Sequence, residues 1–328
     1  MKLDSAIFAI VNAVLYVRHF GLVVRYARHN RRFPNIANPK TYTERMFWRK
    51  AIDHNPQFIT FSDKLATKAY LRERCPDLAI PQTLWEGGDS DEIPDALLHG
   101  DVLVKANHGC QYNYRVRTRP CDRGALRHLT QKWLRRVYGR RLGEWGYHKV
   151  KPVLYVEEAI GDAERDLIEF NIRAGSGKPI LGSVMGKCKQ ADQWAFYLDA
   201  AGDPVTGMSD PEGSPPQPLP PGFSALEPYR QAVKFTEKLS MGVDYARFDF
   251  MWNGRQLFGG EITLYPAGGM SDPHNTVCHI ATLNGWDLLQ SHFLRRPQSG
   301  WKAVYAAALR RQLKRTPHAY SETNRASS

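Results

Sequence analysis

Cysteine is scarce in this sequence. Cys75, Cys110, Cys121, Cys188 and Cys278 are scattered through 328 residues, odd in number and without a CxxC pair. This pattern argues against a disulfide framework or a cysteine-bound zinc, and it suits a reducing cytoplasm. A membrane-crossing run is missing as well. The apolar run at 6–17 (AIFAIVNAVLYV) spans twelve residues, whereas crossing a bilayer takes about 20. No small-residue cleavage site follows it, so no export signal is expected. There is no internal repeat. Acidic side chains are in the minority, 33 Asp and Glu against 45 Lys and Arg, for a net charge of +12. The first 50 residues hold ten Lys and Arg against only Asp4 and Glu44. Such a surplus invites a nucleic-acid reading, but no recognition motif accompanies it. No nucleic-acid partner is expected, and the charge is read as steering toward an anionic nucleotide, polysaccharide or membrane.

What is present is the composition of a folded protein of two or three lobes, 42% hydrophobic and 24% charged. The stretch Tyr245–Met270, YARFDFMWNGRQLFGGEITLYPAGGM, reads as two strands joined by a tight turn at Asn253-Gly254. Arg247 and Asp249 share one face of the first strand, and Glu261 and Thr263 share one face of the second. Carboxylates facing one another across a hairpin repel, so a cation is expected between them. Oxygen ligands with water and phosphate suit Mg²⁺. A two-residue turn would place Asp249 opposite Leu257 or Phe258, short of Glu261. Extra residues are therefore required in the second strand, and a bulge is expected at Gly259-Gly260.

Upstream, residues 6–17 predict a helix, packed on the body or lying at a membrane interface with the basic flank Arg18, Arg25, Arg28, Arg31 and Arg32. Thr41 and Glu44 in NPKTYTERMFWRK have the spacing of a capped helix start. Ser62 is read as the N-cap of the next helix, with Lys64 and Lys68 one turn apart and Lys68 exposed. In DVLVKANHGCQYNYRVR, a strand ends at Lys105 and a turn follows at Asn107-His108-Gly109; a lysine beside such a loop neutralises phosphate while backbone N–H groups cradle it. A basic helix is expected over 122–139, another helix over 226–240 and a last one over 299–315. The Pro/Gly/Ser-rich residues 201–224 read as a loop, and the residues after 316 as a polar tail.

Four clusters, NPKT…E, DK, K-x-NHG and RFDF…GE-x-T, resemble in content and order the motifs of ATP-grasp ligases. The NPKT string is similar to that of the teichuronopeptide-biosynthesis (TupA-like) branch. The resemblance covers roughly residues 26–275. It implies an α+β ATP-grasp fold with a nucleotide held between two sheet-bearing lobes. The implied divisions are an N-terminal helical segment at 1–75, a small lobe with a phosphate flap at 76–155, a large lobe with the metal site at 156–316, and a tail at 317–328. It implies ATP and Mg²⁺ as cofactors, with Asp249, Glu261 and Thr263 at the metal; Thr263 stands where the family usually has Asn. Arg247 and Lys105 would act on the transferring phosphate. His108 would be a base or acceptor contact, its alternative being a plain turn residue. Lys64, Lys105, Asn107 and Gly109 would hold phosphates, with Cys110-Gln111 in place of the family's Ser-Gly. Glu157 and the segment Glu158, Ala159 and Ile160 would meet the base, and Asp166 the ribose. Ile168 occupies the place of a family lysine, so that phosphate contact would be absent or supplied by Lys187 or Lys189. The implied reaction is amide formation through an acyl phosphate. A small-molecule or polysaccharide-linked carboxylate, such as a uronic acid, would be joined to an amine. From the residues themselves, the missing export signal sets the expectation of a cytoplasmic place, and the apolar run 6–17 with its basic flank that of peripheral contact at the inner membrane face. A glycosyltransferase of capsule assembly, a kinase, a soluble dipeptide ligase and a non-catalytic basic binder remain alternatives.

Overall fold

The computed structural model describes residues 2–116, 121–161, 167–187, 193–205, 223–270 and 277–315. Two helices open the chain, α1 (Lys2–Arg18) and α2 (Phe20–Asn30), meeting at a bend of 102°. Neither is long and apolar enough to cross a membrane. Next comes α3 (Tyr42–Ala51), which starts as its sequence predicts. The Thr41 hydroxyl accepts from the Glu44 N–H at 3.3 Å, and Glu44 Oε2 accepts from the Thr41 N–H at 3.2 Å. This helix is the hub of the fold. Its Arg49 is fully buried, ion-paired with Asp244 at 2.9 Å and stacked over Trp286 at 4.3 Å. Burying a guanidinium is tolerable only when it is paired in this way.

Helices α4 (Gln57–Ser62) and α5 (Lys64–Arg74) follow. The N-cap of α5 is Asp63, whose Oδ1 accepts from the N–H groups of Leu65 and Ala66. This corrects the assignment to Ser62, whose hydroxyl instead closes back onto the Phe58 carbonyl at 2.7 Å as the last residue of α4. A carboxylate at this position also offsets the lysine in the first turn.

The first sheet is built from β1 (Thr83–Gly87), β2 (Val102–Ala106), β3 (Asn113–Arg115) and β4 (Leu154–Glu158), with the short α6 (Asp95–Leu98) between β1 and β2 and α7 (Arg123–Leu134) between β3 and β4. Its order is β1-β4-β2-β3, antiparallel throughout. In β2 the pleat sends Val102, Val104 and Ala106 into the core and turns Leu103 and Lys105 to the other face. The basic helix expected over 122–139 stops at Leu134, and a 3₁₀ turn occupies 140–142.

The second sheet contains β5 (Ile168–Gly175), β6 (Lys178–Gly186), β7 (Trp194–Leu198), β8 (Ala246–Trp252) and β9 (Leu257–Thr263), in the order β7-β6-β5-β8-β9. Helix α8 (Leu226–Leu239) covers it, with Tyr229 fully buried beneath Gly182. The chain ends in α9 (Val277–Gly285), α10 (His292–Arg295) and α11 (Gly300–Arg315), the last packed beside α1. The second sheet also meets the segment leading into the first, because the Gly259 N–H donates to the Ala79 carbonyl at 2.9 Å ahead of β1. The α+β class expected from the sequence is the class observed.

Candidate active site

The β8–β9 hairpin is longer at its tip than the tight turn expected. Trp252 pairs with Leu257, so four residues, 253–256, make the loop. Asn253 organises it: Oδ1 accepts from the N–H groups of Arg255 and Gln256 at 3.0 and 2.9 Å, and Nδ2 donates to the Ile160 carbonyl at 3.0 Å. The ladder then runs Met251 to Phe258 and Phe250 to Gly259, slips, and resumes with Phe248 to Ile262 and Arg247 to Thr263. Gly260 and Glu261 together oppose Asp249, which is a bulge at the expected place. A Cβ on Gly260 would stand 2.7 Å from the Asp249 carbonyl oxygen, and one on Gly259 would stand 2.8 Å from Leu78. Both positions therefore need glycine. Two extra loop residues and one bulged residue bring Glu261 to the face that Asp249 occupies.

That face lines a cavity of about 260 Å³. Arg247 binds Asp249 bidentately, Nε to Oδ1 and Nη2 to Oδ2, both at 2.7 Å, and the Thr263 hydroxyl donates to Oδ2 at 3.0 Å. Burial disfavours the Arg247 charge, but Asp249 outweighs it and raises the guanidinium above its usual value. Across the cavity, Lys64 Nζ from α5 is ion-paired with Glu261. Desolvation by the surrounding cavity wall pushes the Glu261 carboxyl up, yet Lys64 dominates and holds it below the ordinary glutamate value.

The first sheet contributes a second cationic cluster. Glu157 is buried between Lys105 at one oxygen and Lys68, at 2.5 Å, at the other. Lys68 also donates to the Pro81 carbonyl at 2.8 Å and the Thr83 hydroxyl at 3.0 Å, and it lies 5.3 Å over the Tyr155 ring. The expectation of an exposed Lys68 is thus corrected: it is 6% exposed and bridges α5 to the first sheet. Burial lowers its ammonium despite the attraction of Glu157. Tyr155 faces the same cavity, its phenol pushed well above the usual value by burial and then by Glu157. Lys64 and Lys68 show in the sequence as a one-turn pair, but the acceptors that bury Lys68 stand at positions 81, 83 and 157, which no local spacing reveals.

Other sequence-predicted residues sit apart from this cavity or already have partners. His108 is 2% exposed, and its Nε2 lies 3.2 Å from the Trp133 carbonyl and 3.3 Å from that of Arg136. Two acceptors require Nε2 to carry the proton, and burial pulls the imidazole below its usual value. The ring is neutral and serves the end of α7 rather than the cavity. Asn107 is pinned by its amide to the Lys151 carbonyl at 3.0 Å and the Val153 N–H at 2.8 Å. Gly109 has a φ of +86°, with Tyr112 and Tyr138 where a Cβ would go. Gln111, between β2 and β3, also has a positive φ of +62°, a conformation that costs a non-glycine residue about 1 kcal/mol. Glu158 accepts from the Gln82 N–H at 2.7 Å, the Ala159 N–H donates to the Asp101 carbonyl at 3.4 Å, and the Ile160 carbonyl is held by Asn253. Lys187 directly follows β6, at a φ of +53°. Asp166 and Lys189 lie outside the described residues.

Asp249, Glu261 and Thr263 present an all-oxygen donor set on one wall of the cavity, the chemistry that Mg²⁺ takes. Among the described residues no group of three or more His, Cys, Asp or Glu could hold a metal alone. The set fits a hard cation completed by water or ligand oxygens.

No protein-family model matches the chain, and no curated protein matches it. Solved structures that it resembles include ligases, among them an ATP-grasp ligase. An L-amino acid ligase from Bacillus licheniformis is 14% identical with a TM-score of 0.40, the alignment covering 69% of this chain and 50% of that one. The ATP-grasp ligase PsnB, solved with a phosphomimetic variant of its minimal precursor, Mg and ADP, is 15% identical with a TM-score of 0.36, covering 82% and 66%. A D-alanine–D-alanine ligase from Bacillus anthracis, complexed with ATP, is 13% identical with a TM-score of 0.35, covering 78% and 65%. The chain spans about half to two thirds of the length of these ligases.

Proposed function

We propose that this chain is an ATP-dependent, ADP-forming carboxylate–amine ligase of the ATP-grasp type, close to the TupA-like branch. The observation that carries the reading is the bulged hairpin, which sets Asp249 and Glu261 in the lining of a cavity that Lys64, Lys105 and Lys68 also line. A merely structural hairpin has no use for two carboxylates in a cavity lining shared with three lysines.

With Mg·ATP bound, the γ-phosphoryl passes to a carboxylate, and an amine then displaces phosphate to leave an amide, ADP and phosphate. Asp249, Glu261 and the Thr263 hydroxyl would hold the metal. Arg247, clamped by Asp249, points its guanidinium into the same wall and stabilises charge on the transferring group. Lys105 would meet the phosphates from the first sheet, and Lys64 would do so with Glu261 given over to the metal. Positioning and fixed charge suffice for phosphoryl transfer, so no nucleophilic triad is needed. The acceptor we infer is a uronic acid of a cell-surface polysaccharide and the donor an amino acid or peptide, in line with the basic surface and with the NPKT string. The enzyme would work in the cytoplasm beside its nucleotide.

Mass spectrometry of products after incubation with Mg·ATP, a uronic-acid acceptor and amino acids tests this. An amide product with stoichiometric ADP is expected. Transfer of a sugar from a nucleotide sugar, or a phosphorylated acceptor that no amine discharges, would replace the ligase reading.

A further inference from the structure

Helix α1 buries one face and leaves a second apolar face in solvent. Phe8, Val11 and Leu15 pack inward, Phe8 edge-on to Tyr305 at 6.3 Å. Leu3, Ile10, Val14 and Val17 follow one another at intervals of 7, 4 and 3 residues, which is a single stripe on a helix. They are 71, 66, 53 and 82% exposed. A helix used only for packing would be polar there. Beside it, Trp301 and Val304 of α11 are more than half exposed and join Ile7, Ile10, Val11 and Val14 around an apolar groove of about 350 Å³. A stripe of large apolar side chains left in solvent and continuous with an apolar groove is the kind of surface that docks on a partner.

The charge around it identifies the partner. Arg18, Arg25, Arg28 and Arg31 are exposed along the same bent helix pair, and Phe20 is exposed at the bend. The single acid among residues 2–31, Asp4, is buried and neutralised by Arg311 at 2.5 Å and Arg315 at 3.7 Å. Arg32 is not part of this surface charge, because it is spent on Glu44 at 2.7 Å and Thr41 at 3.0 Å. The helix pair thus offers apolar and cationic groups and no exposed acid. Pairing two copies through it would set arginine against arginine, whereas an anionic bilayer complements both features.

We propose that the α1–α2 pair, with Trp301 and Val304, docks on an anionic phospholipid surface. The stripe enters the headgroup boundary and the arginines lie against lipid phosphates, with neither helix spanning the bilayer. This docking does not rest on the ligase reading.

Co-sedimentation of the full chain with vesicles tests it, comparing phosphatidylcholine alone with a phosphatidylcholine–phosphatidylglycerol mixture, alongside light scattering without lipid. Binding to the anionic vesicles is expected, weakened by salt and near absent on the neutral ones. The Ile10→Ser, Val14→Ser, Val17→Ser triple variant should lose about tenfold or more in partitioning, and Arg25→Gln, Arg28→Gln a similar amount. These side chains are exposed, so both variants should melt as the wild type does. Binding unchanged by the serine variant, no preference for anionic lipid, or a lipid-free dimer that the serine variant dissociates would each overturn the proposal.

Discussion

Lys64 and Glu261, 197 residues apart in sequence, form an ion pair that joins the start of α5 to the bulged strand β9. The ammonium stands at a carboxylate that we assign to the metal. It balances that charge, and a metal held by Glu261 would take its place as counter-ion.

Removing the carboxylates separates their two duties. Glu261→Gln should abolish ADP formation by orders of magnitude with little change in melting temperature, since the side chain is 55% exposed to the cleft it lines. Asp249→Asn should lose turnover as completely and also destabilise the fold by about 1–3 kcal/mol, because it breaks the bidentate bond with Arg247. Turnover and thermal melts of both variants check this. Near wild-type turnover in both would remove the metal assignment.

The pH dependence of stability follows from Glu261. Its folded carboxyl lies below the ordinary value, so its contribution is fully present above the unfolded glutamate value and is lost as pH falls through the folded one. Lys64→Ala removes the chief cause of the depression. The variant should therefore lack that contribution at neutral pH and lose less on acidification, so that the two curves converge as pH falls through the folded value. Melting curves taken from neutral pH down through the glutamate range decide it, and parallel curves would count against the pairing.

The three lysines should divide by burial. Lys68→Met strips Glu157 of one of its two cations and leaves the Pro81 carbonyl without its lysine donor, at a cost of about 1–3 kcal/mol in stability. Lys105→Ala, at a more open position, should chiefly weaken nucleotide binding. Calorimetric titration with a non-hydrolysable ATP analogue, set beside thermal melts, distinguishes them. Equal melting of the two variants would show that Lys68 is not the structural bridge we describe.

Much of this arrangement was legible along the chain. The Thr41–Glu44 capping box acts within one turn, and the bulge follows from counting residues between a turn and two polar pairs. Glycine at 259 and 260 marked the place because a backbone that close to another tolerates no side chain. The tip of the hairpin was less legible, since the Asn253-Gly254 dipeptide suits a two-residue turn as well as the four-residue one that Asn253 stabilises with its own side chain. Lys68 and His108 were illegible for a different reason. A lysine on a helix and a histidine in a turn look solvated until the distant carbonyls and carboxylate that enclose them are in place, and those arrive from positions 81, 133, 136 and 157.

Gly260 carries a consequence that no ligand contact conveys. Counted from Phe258, strict alternation would send Glu261 inward with Phe248 and Phe250 and turn Ile262 out into the cavity. One residue with no side chain reverses the parity of everything after it. The cavity's chemistry is therefore encoded in chain length as well as in residue type, as a reading frame is. An alanine at 260 would disturb the frame while leaving every charged group in place, and a comparison that aligns Asp249 and Glu261 without a gap between their strands would lose the site altogether.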